Sequence, residues 1–241
     1  MTPLSQFAFA ASLLFAAPFA SASIVAYDFT ATVNSLTYFE HITPTGTGPG
    51  VALNTSSYAG KTISMGDQIR GQFFYDTTLG QLQGWPPAEP GAAVAYYGGP
   101  GYAASMASIS YTIEQGGLQF ASRDNTPVIS IGNSIIDSVH LLSFSENTAG
   151  LVQEVGITLI DRNTTAFNSI QLPDALPASH FTDLAISNSF RWRGQDDALS
   201  VAMNITSLTP TTPVPEPASW GMLLSGVGAL ALMARRKAKR V

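Results

Sequence analysis

The sequence predicts an all-β domain, a β-sandwich or jelly-roll-like ectodomain carried between two apolar terminal segments. Apolar and polar residues alternate with a period of two through much of the middle of the chain, the mark of half-buried strands. Gly, Asn and Asp punctuate these runs at short intervals, and no stretch there sustains a 3.6-residue period. Hydrophobic residues make up 45% of the 241, yet charged residues only 11%, against about 25% in ordinary soluble domains. The polar surface must therefore come from Ser, Thr, Asn, Gln and Gly, which suits a β-rich exported chain.

The strands follow in order. Val25, Tyr27, Phe29, Ala31 and Val33 form the first apolar set, alternating with Ala26 through Asn34. Ile69, Gly71, Phe73 and Tyr75 form the second, closed by Asp76 and two threonines. Ala107, Ile109, Tyr111 and Ile113 form the third, and Gln115-Gly116-Gly117 turns it into Leu118-Gln119-Phe120, a hairpin signal. Val139 to Phe144 is more continuously apolar than the other runs and reads as a buried strand, which makes His140 a core or interface histidine. Val155, Ile157 and Leu159 make another strand, ended by Asp161-Arg162-Asn163. Leu199, Val201, Met203 and Ile205 make the last. Two long irregular segments are expected, about 41–57 and 80–101.

There is no cysteine, so neither disulfides nor thiolate metal sites contribute. Between Ser23 and Thr212 six basic residues face fifteen acidic ones, a formal net of −9. Such a domain lacks the basic patch that phosphate binding requires, so nucleic acid is not an expected partner.

The ends read as targeting segments. Phe7 to Phe19 is an apolar run followed by Ala20-Ser21-Ala22, a small-x-small cleavage signature. A secretory signal peptide over 1–22 is expected, cut after Ala22, although no Lys or Arg precedes the run. At the other end, Pro210, Pro213, Pro215 and Pro217 impose an extended linker. The uncharged stretch Ala218 to Ala234 follows. As a helix it spans roughly 25 Å, enough for a thin bilayer. Arg235, Arg236 and Lys237 end it, and basic residues of this kind remain cytoplasmic. Three regions result: 1–22, the ectodomain 23–209, and the linker and tail 210–241.

Val214-Pro215-Glu216-Pro217-Ala218-Ser219, the apolar stretch, and the Arg235-Arg236-Lys237 stop together resemble the PEP-CTERM sorting signal. That resemblance implies recognition of Val214, Pro215, Glu216 and Pro217 by a membrane-embedded exosortase, and membrane anchorage before processing. It further implies removal of the tail and delivery to the surface, often into an exopolysaccharide matrix. Gly66 to Asp76 is also loosely similar to a segment recurring in PEP-CTERM ectodomains, which speaks to fold alone.

Catalytic signatures are thin. His41, His140 and His180 show no metal-ligand spacing, and no H-E-x-x-H or G-x-S-x-G occurs. Glu114, Glu154 and Asp196-Asp197 are the carboxylates a glycoside hydrolase would need, but Asp196-Asp197 after Gly194-Gln195 reads more simply as a turn. No cofactor is expected. Calcium is the one ion that loop acids such as Asp124, Asp161 and Asp196 suit. Trp85, Tyr96, Tyr97 and Tyr102 form the candidate glycan platform, since flat rigid rings stack on sugars; the alternative is a loop folded back over the core. The expectation is a non-enzymatic surface or matrix protein, with a glycan-binding module or a polysaccharide hydrolase as alternatives.

Overall fold

The computed structural model describes residues 24–40, 42–43, 46–82, 93–99, 106–122 and 127–211. Both terminal segments, with the expected signal peptide and membrane helix, lie outside the described residues. Fifteen strands run in chain order. They are β1 (Ile24–Phe39), β2 (Ile42–Thr43), β3 (Gly46–Thr47), β4 (Gly50–Ala52), β5 (Thr55–Ser56), β6 (Ile63–Ser64), β7 (Gln68–Asp76) and β8 (Val94–Gly98). Then come β9 (Ala107–Ile113), β10 (Leu118–Ala121), β11 (Val128–Asn133), β12 (Asp137–Glu146), β13 (Leu151–Asp161), β14 (Asp183–Trp192) and β15 (Ala198–Thr211).

The described residues are nearly all β, as the alternation predicts, with one short 3-10 turn at Ala178–His180. Ten strands, however, form one unbroken antiparallel path rather than two separately paired sheets. Its order is β10-β9-β7-β1-β15-β14-β13-β12-β11-β8, with β4 added beside β1. The path curls so that its inward residues meet. Tyr111 on β9 contacts Asn188 on β14, and Ser122 beyond β10 lies 2.7 Å, hydroxyl to hydroxyl, from Ser143 on β12. Residues 122–127 join β10 to β11 although these strands lie near opposite ends of the path, so the curl must bring the ends close.

Periodicity selects the inward face. On β1, Val25, Tyr27, Phe29, Ala31 and Val33 are buried. The phase then flips: Leu36 is buried while Asn34 and Ser35 are exposed. A register shift against β15 between Val33 and Ser35 accounts for this, because one extra residue turns every later side chain to the other face. β12 differs from expectation. Val139, Leu141 and Ser143 point inward, whereas His140 is exposed and Phe144 is 49% exposed. β12 is thus covered on one face only, and His140 is no core residue; its Nδ1 lies 3.2 Å from the Thr158 hydroxyl on the outer face.

Three main-path strands are absent from the sequence-based assignment. β8 lies inside the segment expected to be irregular. β11 is short, and β14 carries the polar Asn188 on its buried face.

One glycine permits close approach inside the curl. A Cβ on Gly71 would collide with the Phe29 ring and come within 2.6 Å of both the Ser110 carbonyl oxygen and Tyr111 Cβ. Two of these neighbours belong to paired strands and cannot retreat. Gly71→Ala is expected to destabilise the domain by about 1–3 kcal/mol, the usual cost of overpacking, seen as a lower urea midpoint.

Residues 162–182 join β13 to β14 and close one end of the curl. Three tyrosines from different strands hold this loop by its carbonyls. The Tyr27 hydroxyl donates to Leu176 O at 2.8 Å, that of Tyr75 to Pro173 O at 3.0 Å and that of Tyr97 to Ile170 O at 2.8 Å. Burial raises the pKa of all three phenols, so they remain donors throughout the physiological range. Phe167, Ile170, Leu172, Leu176 and Phe181 pack beneath the loop against the core.

Candidate functional site

The outer face of β10, β9, β7, β1 and β15 offers the broadest ordered array of polar side chains. Antiparallel register aligns them into rows. Ala121, Ser110, Gln72, Asp28 and Thr209 stand opposite one another across five strands. Gln119, Thr112, Arg70, Thr30 and Ser207 form the next row. The pattern arises because the apolar partners Phe29, Phe73, Tyr111 and Phe120 occupy the opposite face. Arg70 is ion-paired with Glu114, so that carboxylate, a hydrolase candidate by sequence, is neutralised at the edge of the array.

An open depression of about 1050 Å³ is lined by both rows. Lys61, Leu151, Gln153 and Trp192 also line it, near the edge strand β10. Ligand clefts commonly measure about 300–1,000 Å³, so there is room for an extended ligand. Hydroxyl and amide side chains dominate the rows, with a single guanidinium and a single carboxylate. Such a surface exchanges hydrogen bonds with neutral polyols and offers no concentrated charge.

The other sequence-derived candidates are dispersed. Tyr97 is 8% exposed and spends its hydroxyl on the 162–182 loop, so its ring serves the core. Tyr96 takes the opposite side of β8, opposite Ser130 on β11. Trp85, Tyr102, His41 and Asp124 lie outside the described residues, as do Ala20, Ala22, Val214, Pro215, Glu216, Pro217, Arg235, Arg236 and Lys237. Glu154 is exposed on β13, opposite Phe144.

Asp196 and Asp197 follow the β14–β15 turn, where Gln195 N donates to Trp192 O at 3.0 Å. Asp197 is held by two aromatic hydroxyls. The Tyr38 hydroxyl donates to its Oδ2 at 2.7 Å, and the Tyr58 hydroxyl donates to its Oδ1 at 3.2 Å and its carbonyl at 2.9 Å. Burial pushes the Tyr58 phenol up to about 12, with the Asp197 charge adding to the rise. Trp192 Nε1 donates to Tyr58 O at 3.1 Å, which locks the cluster. An aspartate so occupied fastens the 53–65 segment to the β14–β15 turn. His180 likewise serves a loop, with Nδ1 3.0 Å from Thr165 O.

Among the described residues, no three His, Cys, Asp or Glu side chains converge on one point. No helix among the described residues is long and apolar enough to cross a membrane.

The described residues therefore form a β domain built on one curled antiparallel sheet, with its polar rows outward. Residues 213–237 match the family model of the PEP-CTERM protein-sorting motif. The chain thus carries a PEP-CTERM sorting motif over these residues, and that motif implies an exported protein addressed to an exosortase. Comparison with curated proteins and with solved structures found no match.

Proposed function

We propose that the sheet domain is a non-enzymatic surface or matrix module that binds exopolysaccharide through the outer face of β10-β9-β7-β1-β15. The observation carrying this reading is the pair of in-register polar rows that line the large open depression. Sugar hydroxyls take the place of water as partners of the amide and hydroxyl side chains, and this exchange between neutral groups costs less in desolvation than burying a charge would. The sorting motif supplies the setting, since it addresses the domain to the cell surface. The C-terminal apolar segment anchors the precursor until an exosortase removes it.

In this reading Gln72 and Gln119 are the central donors and acceptors, flanked by Asp28 and Arg70. The secreted protein should retain the host's own exopolysaccharide in a pull-down or by calorimetry. Replacing Gln72 and Gln119 together by alanine should weaken binding by about tenfold or more, at about 1 kcal/mol for each lost hydrogen bond. Tyr96→Ala, on the far half of the path, tests the aromatic platform in parallel. Unchanged affinity in the glutamine variant with loss in Tyr96→Ala would move the site to the β8 region. Release of new reducing ends by the purified protein would replace the binding reading with a hydrolytic one.

A further inference from the structure

Two fully buried carboxylates lie side by side beneath the 162–182 loop, and one of their oxygens has no partner. Asp137 begins β12, Asp161 ends β13, and the two are direct register partners. Both are 0% exposed. Opposed residues in an antiparallel pair hold their Cβ atoms about 4.5–5.5 Å apart on one face. Both side chains reach the same short stretch of loop. Asp161 Oδ1 accepts from Asn163 N at 2.8 Å, and its Oδ2 accepts from Thr165 N at 2.7 Å and the Thr165 hydroxyl at 2.9 Å. Asp137 Oδ2 accepts from Phe167 N at 2.9 Å. Asp137 Oδ1 is buried under that stretch with no hydrogen-bond partner.

An unsatisfied buried carboxylate oxygen is costly, and two adjacent buried anions cost more. The described ion pairs do not relieve it. Arg162 pairs with Asp183, Arg70 with Glu114 and Arg193 with Glu146. Backbone N–H groups satisfy three of the four carboxylate oxygens, but the charge itself has no described counterion.

We propose that Asp137 Oδ1 and the Asp161 carboxylate bind a calcium ion, which fastens the 162–182 loop across the end of the sheet. The donor set decides the kind of ion. The chain has no cysteine and, among the described residues, no third acidic or imidazole side chain joins the pair, so a nitrogen- or sulfur-seeking metal lacks its ligands there. Calcium accepts irregular oxygen shells completed by backbone carbonyls and water, whereas magnesium demands a near-ideal octahedron. Water and neighbouring carbonyl oxygens complete the shell, as the irregular coordination of calcium allows. With two carboxylates the affinity belongs to the range of extracellular modules, on the order of 10⁻⁴–10⁻³ M, appropriate to an exported protein. This site is separate from the outer polar face and does not depend on the exopolysaccharide reading.

The test is calcium titration of the secreted protein after treatment with a chelator and its removal. Saturable binding of one calcium per chain is expected, with a rise in Tm of about 3–6 °C at ten times Kd. Calcium should also protect the 162–182 loop from proteolysis, which locates the ion without any variant. Asp137→Asn keeps an acceptor for Phe167 N but loses the charge, and should abolish binding; Asp196→Asn should not. No saturable binding up to 10 mM calcium (roughly ten times the weakest Kd of that range), protection confined to another segment, or loss of binding in Asp196→Asn alone would overturn the assignment.

Discussion

A chain in which Pro215, Glu216 and Pro217 are all alanine should keep its C-terminal tail. Each proline lacks a backbone donor and restricts φ to near −65°, so the Pro-Glu-Pro sequence disfavours helix and carries one carboxylate. Alanine restores helix propensity next to an apolar stretch that already favours helix, and the bar to helix is lost together with the charge. An enzyme that reads this motif would then meet neither the prolines nor the carboxylate. The intact mass of protein recovered from envelope and medium decides the matter. The parent should appear as a species shortened beyond the motif, and the variant as an envelope-bound species still carrying residues through Val241. A variant processed like the parent would mean that the apolar segment and its basic stop suffice for recognition.

Phe73→Ala should come close to unfolding the domain. Phe73 is 0% exposed and lies at the centre of the aromatic layer. Its ring stacks on Tyr27 with centroids 5.6 Å apart and tilts against Phe29 at 6.5 Å. Tyr27 in turn holds Leu176 of the closing loop. Removing a buried phenylalanine costs about 3–5 kcal/mol, a large part of the 5–15 kcal/mol that keeps a typical domain folded. At a urea slope of about 2 kcal/mol per M, the midpoint should fall by about 1.5–2.5 M. Phe144→Ala is the counterpart. The same change at a 49% exposed position on β12 should cost less than about 1 kcal/mol. Comparable losses at both positions would mean that the outer face of β12 is covered in the folded protein.

The strands that were legible from sequence share one property: their information is local. Ile69, Phe73 and Tyr75, or Leu199 through Ile205, place an apolar side chain at every second residue. A pleated strand with one face covered requires that pattern whatever its neighbours are. Where a single polar residue is satisfied inside, the pattern fails. Asn188 reaches the Tyr111 hydroxyl across the interior, so β14 broke the alternation and escaped notice. β12 erred in the other direction, because Leu142 and Phe144 are apolar on a face that stays partly open.

The sorting motif was likewise legible, because its residues lie next to one another along the chain. The sequence by itself therefore determined the β class, the inward face of most strands, the acidic balance and the address. Only the tertiary structure decided the rest. Strand order depends on pairings such as β1 with β15, whose partners stand 159 (Phe39 and Ala198) to 185 (Ala26 and Thr211) residues apart in the chain, and no local pattern encodes these. Register then aligned Gln72, Asp28, Ser110 and Thr209 into one row, took Tyr97 out of the expected aromatic platform, and set Asp137 beside Asp161. Each of these placements arises from long-range hydrogen-bond register, which fixes neighbours across a sheet and leaves no trace along the chain.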